Sequence, residues 1–107
     1  MSEQLEAARD GARLHKNSGR GDIEKGDASL GVFCIDYKEY AKSFGVSISV
    51  WAKCTKDALR MRKKPALKLV LGTGPSELKT RVWVIGDDMF HEMHEAWKEK
   101  YEPEIQD

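Results

Sequence analysis

KGDASLGVFCIDYK, residues 25–38, joins a turn that carries a carboxylate, a short apolar strand, and a second carboxylate two residues before a lysine. Side chains alternate along an extended strand, so Asp36 and Lys38 share a face, roughly 7 Å apart at about 3.3 Å per residue. Tyr37 between them points to the other face. Two carboxylates and a lysine converging at a strand edge suit a divalent cation held beside a phosphodiester. Taken alone, the stretch reads more readily as a buried strand ending in solvated charges.

A chain of 107 residues is expected to form one domain with a single core. Its formal net charge of zero argues against a simple polycation for nucleic acid. The charge is segregated, however. From Lys53 to Lys68 it is basic, with Lys53, Lys56, Arg60, Arg62, Lys63, Lys64 and Lys68 against Asp57. From Asp87 onward it is acidic. Segregation of this kind hides a local anion-binding face behind a neutral total. Cys34 and Cys54 occupy apolar positions without metal spacing and read as reduced core residues of a cytosolic protein. No secretory leader is visible, and no apolar run approaches the roughly 20 residues of a membrane span, so a cytoplasmic location without membrane partners is expected.

Residues 2–10 read as a helix with Ser2 as N-cap and Gly11 as its stop. Glu3 and Glu6 lie one helical step apart; as first-turn acids, both also suit the helix dipole. Residues 16–27 (KNSGRGDIEKGD) are turn chemistry, in which Lys16 and Arg20 are placed to reach a phosphate. They form no Walker loop. A turn near Leu30-Gly31 precedes the strand through Lys38. Val46–Ser49 alternates as a strand or edge would, and Ser49–Lys63 reads as the main helix, ended by Pro65. Its apolar stripe is Val50, Trp51, Cys54, Ala58 and Met61, with Lys53, Lys56, Arg60 and Lys63 opposite. These cations read either as a solvated face or as a row beside a phosphate backbone. Residues 66–71 and 80–85 read as strands. A final acidic helix, about 87–101, is capped by Asp87 or Asp88 and carries Phe90, Met93, Ala96 and Trp97 as its stripe. Its His91 and His94 do not form a zinc-protease motif.

The order of these pieces resembles the PD-(D/E)xK nuclease superfamily, and within it the small Holliday junction resolvases of phages and archaea. The resembling text is Gly11-Ala12-Arg13, Asn17-Ser18-Gly19, Lys25-Gly26-Asp27, Ile35-Asp36-Tyr37-Lys38, Ser47-Ile48-Ser49 with Trp51 and Lys53, Ala58, and Lys64-Pro65-Ala66-Leu67. A late strand with Trp83 fits as well. The resemblance covers about residues 3–90 of a single nuclease domain spanning 1–107, and the acidic helix lies outside the shared pattern. It implies an α/β restriction-endonuclease-like fold, a central mixed sheet flanked by helices.

Under this resemblance, Asp27 and Asp36 correspond to the carboxylates that bind Mg²⁺, with Mn²⁺ able to substitute. Lys38 corresponds to the lysine that orients the attacking water or stabilises charge on the phosphate. An acid on the first helix completes the site, and the spacing back from Asn17-Ser18-Gly19 favours Glu3 over Glu6. Arg13, Lys16, Ser18, Arg20, Lys25, Lys53, Lys56 and Arg60 are the implied DNA-binding residues. Two departures stand out: Asp36 replaces the usual Glu, and Gly26 replaces the Pro found before the first Asp in much of the superfamily. The implied activity is Mg²⁺-dependent, structure-selective cleavage of four-way or branched DNA by a homodimer. A restriction- or repair-type nuclease of the same fold is one alternative, and a non-catalytic DNA-binding module is another.

Overall fold

The structure, a computed structural model, describes residues 3–15 and 26–102. The elements are α1 (Glu3–Asp10), β1 (Arg13–Leu14), β2 (Ala28–Leu30), β3 (Phe33–Tyr40), α2 (Ile48–Arg60), β4 (Lys64–Leu71), a 3-10 turn (Ser76–Leu78), β5 (Thr80–Ile85) and α3 (Asp87–Tyr101). The protein is therefore α/β, with one five-stranded mixed sheet in the order β1-β2-β3-β4-β5. Among the described strands, only β3 and β4 run parallel. A parallel pair needs a long crossover, and α2 supplies it.

Several local expectations change. β1 and β2 were not anticipated, because they are too short to show a hydrophobic period. β2 pairs with β3 through a two-residue turn at Gly31-Val32, where Gly31 takes φ +55°. Val46 and Ser47 are not strand. They lead into α2, and the Ser47 hydroxyl accepts from Val50 N–H at 3.2 Å as its N-cap. Nor does Pro65 end α2. The helix closes at Arg60, with Lys63 N–H donating to Ala58 O and Arg62 N–H to Leu59 O. Arg62 sits at φ +57°, where glycine is usual in this closure. Pro65 belongs to β4. β5 pairs only from Ala66 onward, so the missing proline N–H breaks no ladder bond.

The strand register assigns the faces. Ile35, Tyr37 and Ala66 pack with Ala7 and Ala28 beneath α1. Leu67 and Leu69 pack with Cys54, and with Phe44, Val50, Trp51 and Val84, beneath α2. Cys34 and Cys54 are both buried. α1 is only eight residues long, so its face of the sheet is partly uncovered. α3 buries none of its residues, and Phe90, Met93 and Trp97 of its expected stripe are about half exposed. Among the described residues, no helix is long and apolar enough to cross a membrane.

Lys68, expected within the basic run, lies in the core at 2% exposure. Its ammonium donates to Glu6 Oε1 at 2.9 Å and to Asp10 Oδ1 at 2.6 Å. Arg81 donates to both Glu6 oxygens, at 3.0 and 2.8 Å, and the Tyr37 hydroxyl donates to Asp10 Oδ2 at 3.0 Å. Tyr37 and Trp83 are the cross-strand neighbours of Lys68, and its ammonium lies 5.3 Å from the Trp83 ring centroid. Buried charge persists here because each group is paired and hydrogen-bonded.

Arg81 first, then Lys68, hold the Glu6 carboxyl at about 2, against an ordinary 4.5. A carboxyl depressed by folding contributes stability above its unfolded value, and that contribution disappears as pH falls through the folded value. The shift corresponds to about 3 kcal/mol. Urea unfolding of the wild type should lose stability by about this amount between roughly pH 4.5 and pH 2. Glu6→Gln should be less stable at neutral pH and should lack this part of the acid dependence. Equal acid slopes in the two proteins would refute the assignment.

Candidate functional site

β2 stops pairing at Ala28, opposite Ile35, while β3 continues to Tyr40. The β3 edge therefore opens at Asp36. Asp27 bridges the opening. Its N–H donates to Ile35 O at 2.9 Å, and its carboxylate then takes the place of a strand carbonyl, accepting from Tyr37 N–H at 2.7 Å. The backbone of the same turn is held from β1. His15 N–H donates to Asp27 O at 2.8 Å, while its buried ring reaches Ser29 Oγ at 2.6 Å and Gly26 O at 3.3 Å. The tautomer with the proton on Nδ1 satisfies both contacts, donating to the Gly26 carbonyl and accepting from the Ser29 hydroxyl. Gly26 takes φ +78°, and a Cβ there would lie 2.7 Å from Cys34 Sγ and 3.5 Å from Asp36 Oδ1. Gly26 thus lets the Asp27 turn lie directly on β3.

Asp36 and Lys38 line a cavity of about 380 Å³ between β3 and α2, together with Tyr40, Phe44, Ser49 and Lys53. Asp36 is only 8% exposed. Burial raises its carboxyl above the usual range, and Asp27 raises it further; Lys53 opposes both. The Cys54 thiol lies beside the Asp36 carboxylate and 3.6 Å from Ala66 O. Burial and the Asp36 charge push that thiol up to about 12, so it is not a nucleophile at neutral pH. Glu3 reaches the site from the first turn of α1. Glu3 is exposed, yet partial desolvation raises its carboxyl, as do the charge of Asp27 and a hydrogen bond with it, while Lys38 pulls it down. Lys53 is raised chiefly by Asp57, at 2.8 Å, and also feels Asp36 and Asp27.

Glu3, Asp27, Asp36 and Lys38 therefore lie within electrostatic reach of one another, and Lys53 joins them from α2. Glu6 points away into the Lys68–Arg81 network. Of the other anticipated DNA-binding residues, Lys56 and Arg60 are exposed on α2, and Arg13 is exposed on β1 at the far edge of the sheet. Lys16, Ser18, Arg20 and Lys25 lie outside the described residues. Sequence reasoning missed His15, because an isolated histidine beside a glycine-rich turn carries no spacing signal. It also missed Tyr40 and Phe44, which flank the strand end and had no partner to suggest.

The donors fit Mg²⁺ in kind, since it prefers oxygen ligands and usually takes one or two carboxylates plus substrate phosphate. They do not form a closed protein cage. Among the described residues, no group of three or more His, Cys, Asp or Glu side chains is arranged to hold a metal ion.

Gly26→Ala should destabilise the protein by about 1–2 kcal/mol from backbone strain alone, with the contact to Cys34 adding to it. In a Cys34→Ala background the same substitution should cost less, measured by chemical unfolding of all four proteins. Equal costs in both backgrounds would show that the sulfur contact contributes nothing. Comparison of the chain with protein-family models, with curated proteins and with solved structures finds no match.

Proposed function

We propose that the protein is a Mg²⁺-dependent, structure-selective DNA endonuclease acting on four-way or branched DNA, as the resemblance to the PD-(D/E)xK resolvases suggests. The observation that carries this reading is the cluster at the opened β3 edge. Three carboxylates adjoin Lys38 and Lys53, and the charge of Asp27 raises the carboxyls of both Glu3 and Asp36, the latter raised first of all by its burial. Grouped carboxylates are mutually unfavourable; Lys38 and Lys53 offset part of that repulsion, and a bound metal ion would offset more of it.

In this reading Asp27, Asp36 and Glu3 would supply the carboxylate ligands, with water and substrate phosphate completing the shell, and Mg²⁺ would supply a more acidic water and offset charge on the phosphate. The Tyr37 N–H keeps Asp27 oriented. Lys38 donates to a phosphate oxygen and stabilises charge there more than it serves as a base. Lys53, Lys56 and Arg60 along α2 contact the DNA backbone, without base readout. In a synthetic junction assay, cleavage should require Mg²⁺ or Mn²⁺. Asp36→Asn and Lys38→Ala should each lower the rate about a hundredfold or more. Unchanged cleavage by either variant would refute the site assignment. Faster cleavage of linear duplex than of junction would move the substrate to a restriction or repair type. Binding without cleavage in either metal would favour the non-catalytic module.

A homodimer belongs to the same proposal, because a two-fold particle matches two symmetric incisions. The uncovered sheet face supports it. Leu30, Phe33, Ala66, Trp83, Ile85 and Met93 line an apolar depression of about 390 Å³ on the side that α1 leaves open. β5 is an edge strand whose exposed Trp83 lies on this face, and Trp97 and Tyr101 follow Met93 at four-residue spacing along α3. A second copy would supply the missing layer over this face. Sedimentation should show a dimer at micromolar concentration, dissociated by Met93→Glu or Trp97→Glu. A monomeric wild type, or variants that remain dimeric, would rule out this interface.

A further inference from the structure

Tyr40 closes β3 at the rim of the Asp36–Lys38 cavity. Its backbone is held from the far side, where Gly72 N–H donates to Tyr40 O at 3.1 Å. Its ring stacks on Phe44, with centroids 4.9 Å apart and planes inclined by 29°. Phe44 in turn packs against the core beneath α2. The Tyr40 ring is thus backed and oriented by the fold, yet 46% of the residue remains exposed. An aromatic ring ordered in advance loses little entropy when it takes up a ligand.

The surroundings indicate which ligand. Lys38 lies two residues back on the same strand face, and Lys53 faces the cavity from α2. A planar apolar surface beside two cations fits a planar ring joined to phosphates, the combination that stacks single-stranded nucleic acid on protein aromatics. In intact duplex both faces of a base are covered by its neighbours. A protein ring stacks only on a base that has left the helix, as at a branch point, a bulge or a strand end.

We propose that Tyr40, supported by Phe44, is a nucleobase-stacking site that selects DNA with an unpaired base next to the scissile phosphate. The proposal rests on the nuclease reading of the neighbouring carboxylates and gives that reading a physical source of structure selectivity. It differs from the cation contacts along α2, which hold duplex and branched backbone alike.

The test uses the full chain in Ca²⁺ in place of Mg²⁺, with two oligonucleotide duplexes. One has 2-aminopurine in a single-base bulge, and the other is fully matched. Wild-type protein should quench the bulge fluorescence on binding. Tyr40→Leu should lose the quench and bind the bulged duplex about tenfold more weakly. Tyr40→Trp should retain both, and all three proteins should bind the matched duplex equally. Thermal melting of the variants checks that they are folded. Wild-type quench and affinity in Tyr40→Leu would overturn the proposal, as would an equal loss on the matched duplex. A wild type that binds neither duplex would overturn the nuclease reading with it. A wild type that cleaves junctions in Mg²⁺ while Tyr40→Leu behaves normally would overturn the stacking site alone.

Discussion

The candidate site depends on a buried charge cluster on the opposite side of α1. Eight residues are too few for a stable isolated helix in water. Glu6 is clamped by Lys68 from β4 and Arg81 from β5, and Asp10 takes Lys68 and the Tyr37 hydroxyl. These bonds tie both turns of the helix to the middle of the sheet. The position of Glu3, one step earlier, follows from that anchorage. Two glutamates three residues apart thereby acquire different electrostatics. Glu6 is held ionised by cations, while Glu3 is raised by partial desolvation and by the neighbouring Asp27 carboxylate.

A second constraint is the mismatch in length between β2 and β3. Because β2 stops while β3 continues, the unpaired β3 edge needs a substitute acceptor. The Asp27 carboxylate provides it to Tyr37 N–H, with His15 and Gly26 fixing the approach of the turn. The same opening leaves Asp36, Lys38 and Tyr40 facing a cavity bordered by α2. Local backbone bonding and the grouping of charged side chains therefore have one origin. On the other face, α1 covers too little of the sheet, and apolar groups of β5 and α3 are left outside the core.

Part of this was legible in the residues. The run Phe33–Tyr40 reads as a strand from its apolar content, and alternation alone separates Asp36 and Lys38 from Tyr37. The amphipathic period marks α2, and Gly11 marks the end of α1. Asp27 and Asp36 read alone as the charged ends of an ordinary strand, and only the order of the surrounding motifs singles them out. By contrast, Pro65 looked like a helix stop, yet the chain turns at Arg62 and the proline enters β4 where no partner needs its N–H. Val46–Ser49 alternated like a strand, but the Ser47 cap makes it a helix entry.

The sequence by itself determined the α/β class, the central strand, the crossover helix and the residue types available for chemistry, because periodicity and turn residues act over a few neighbours. Only the tertiary structure decided which charges meet. Lys68 belongs to a basic run in the chain, but the parallel β3–β4 register places it beside Tyr37 and beneath α1, where it becomes a core residue paired with Glu6 and Asp10. Glu3 and Asp27 are far apart in sequence, and their contact exists because the Glu6 clamp sets the helix and the β2–β3 opening sets the turn. Such pairings depend on the relative placement of whole elements, which burial and long-range hydrogen bonding decide after the local pattern is exhausted.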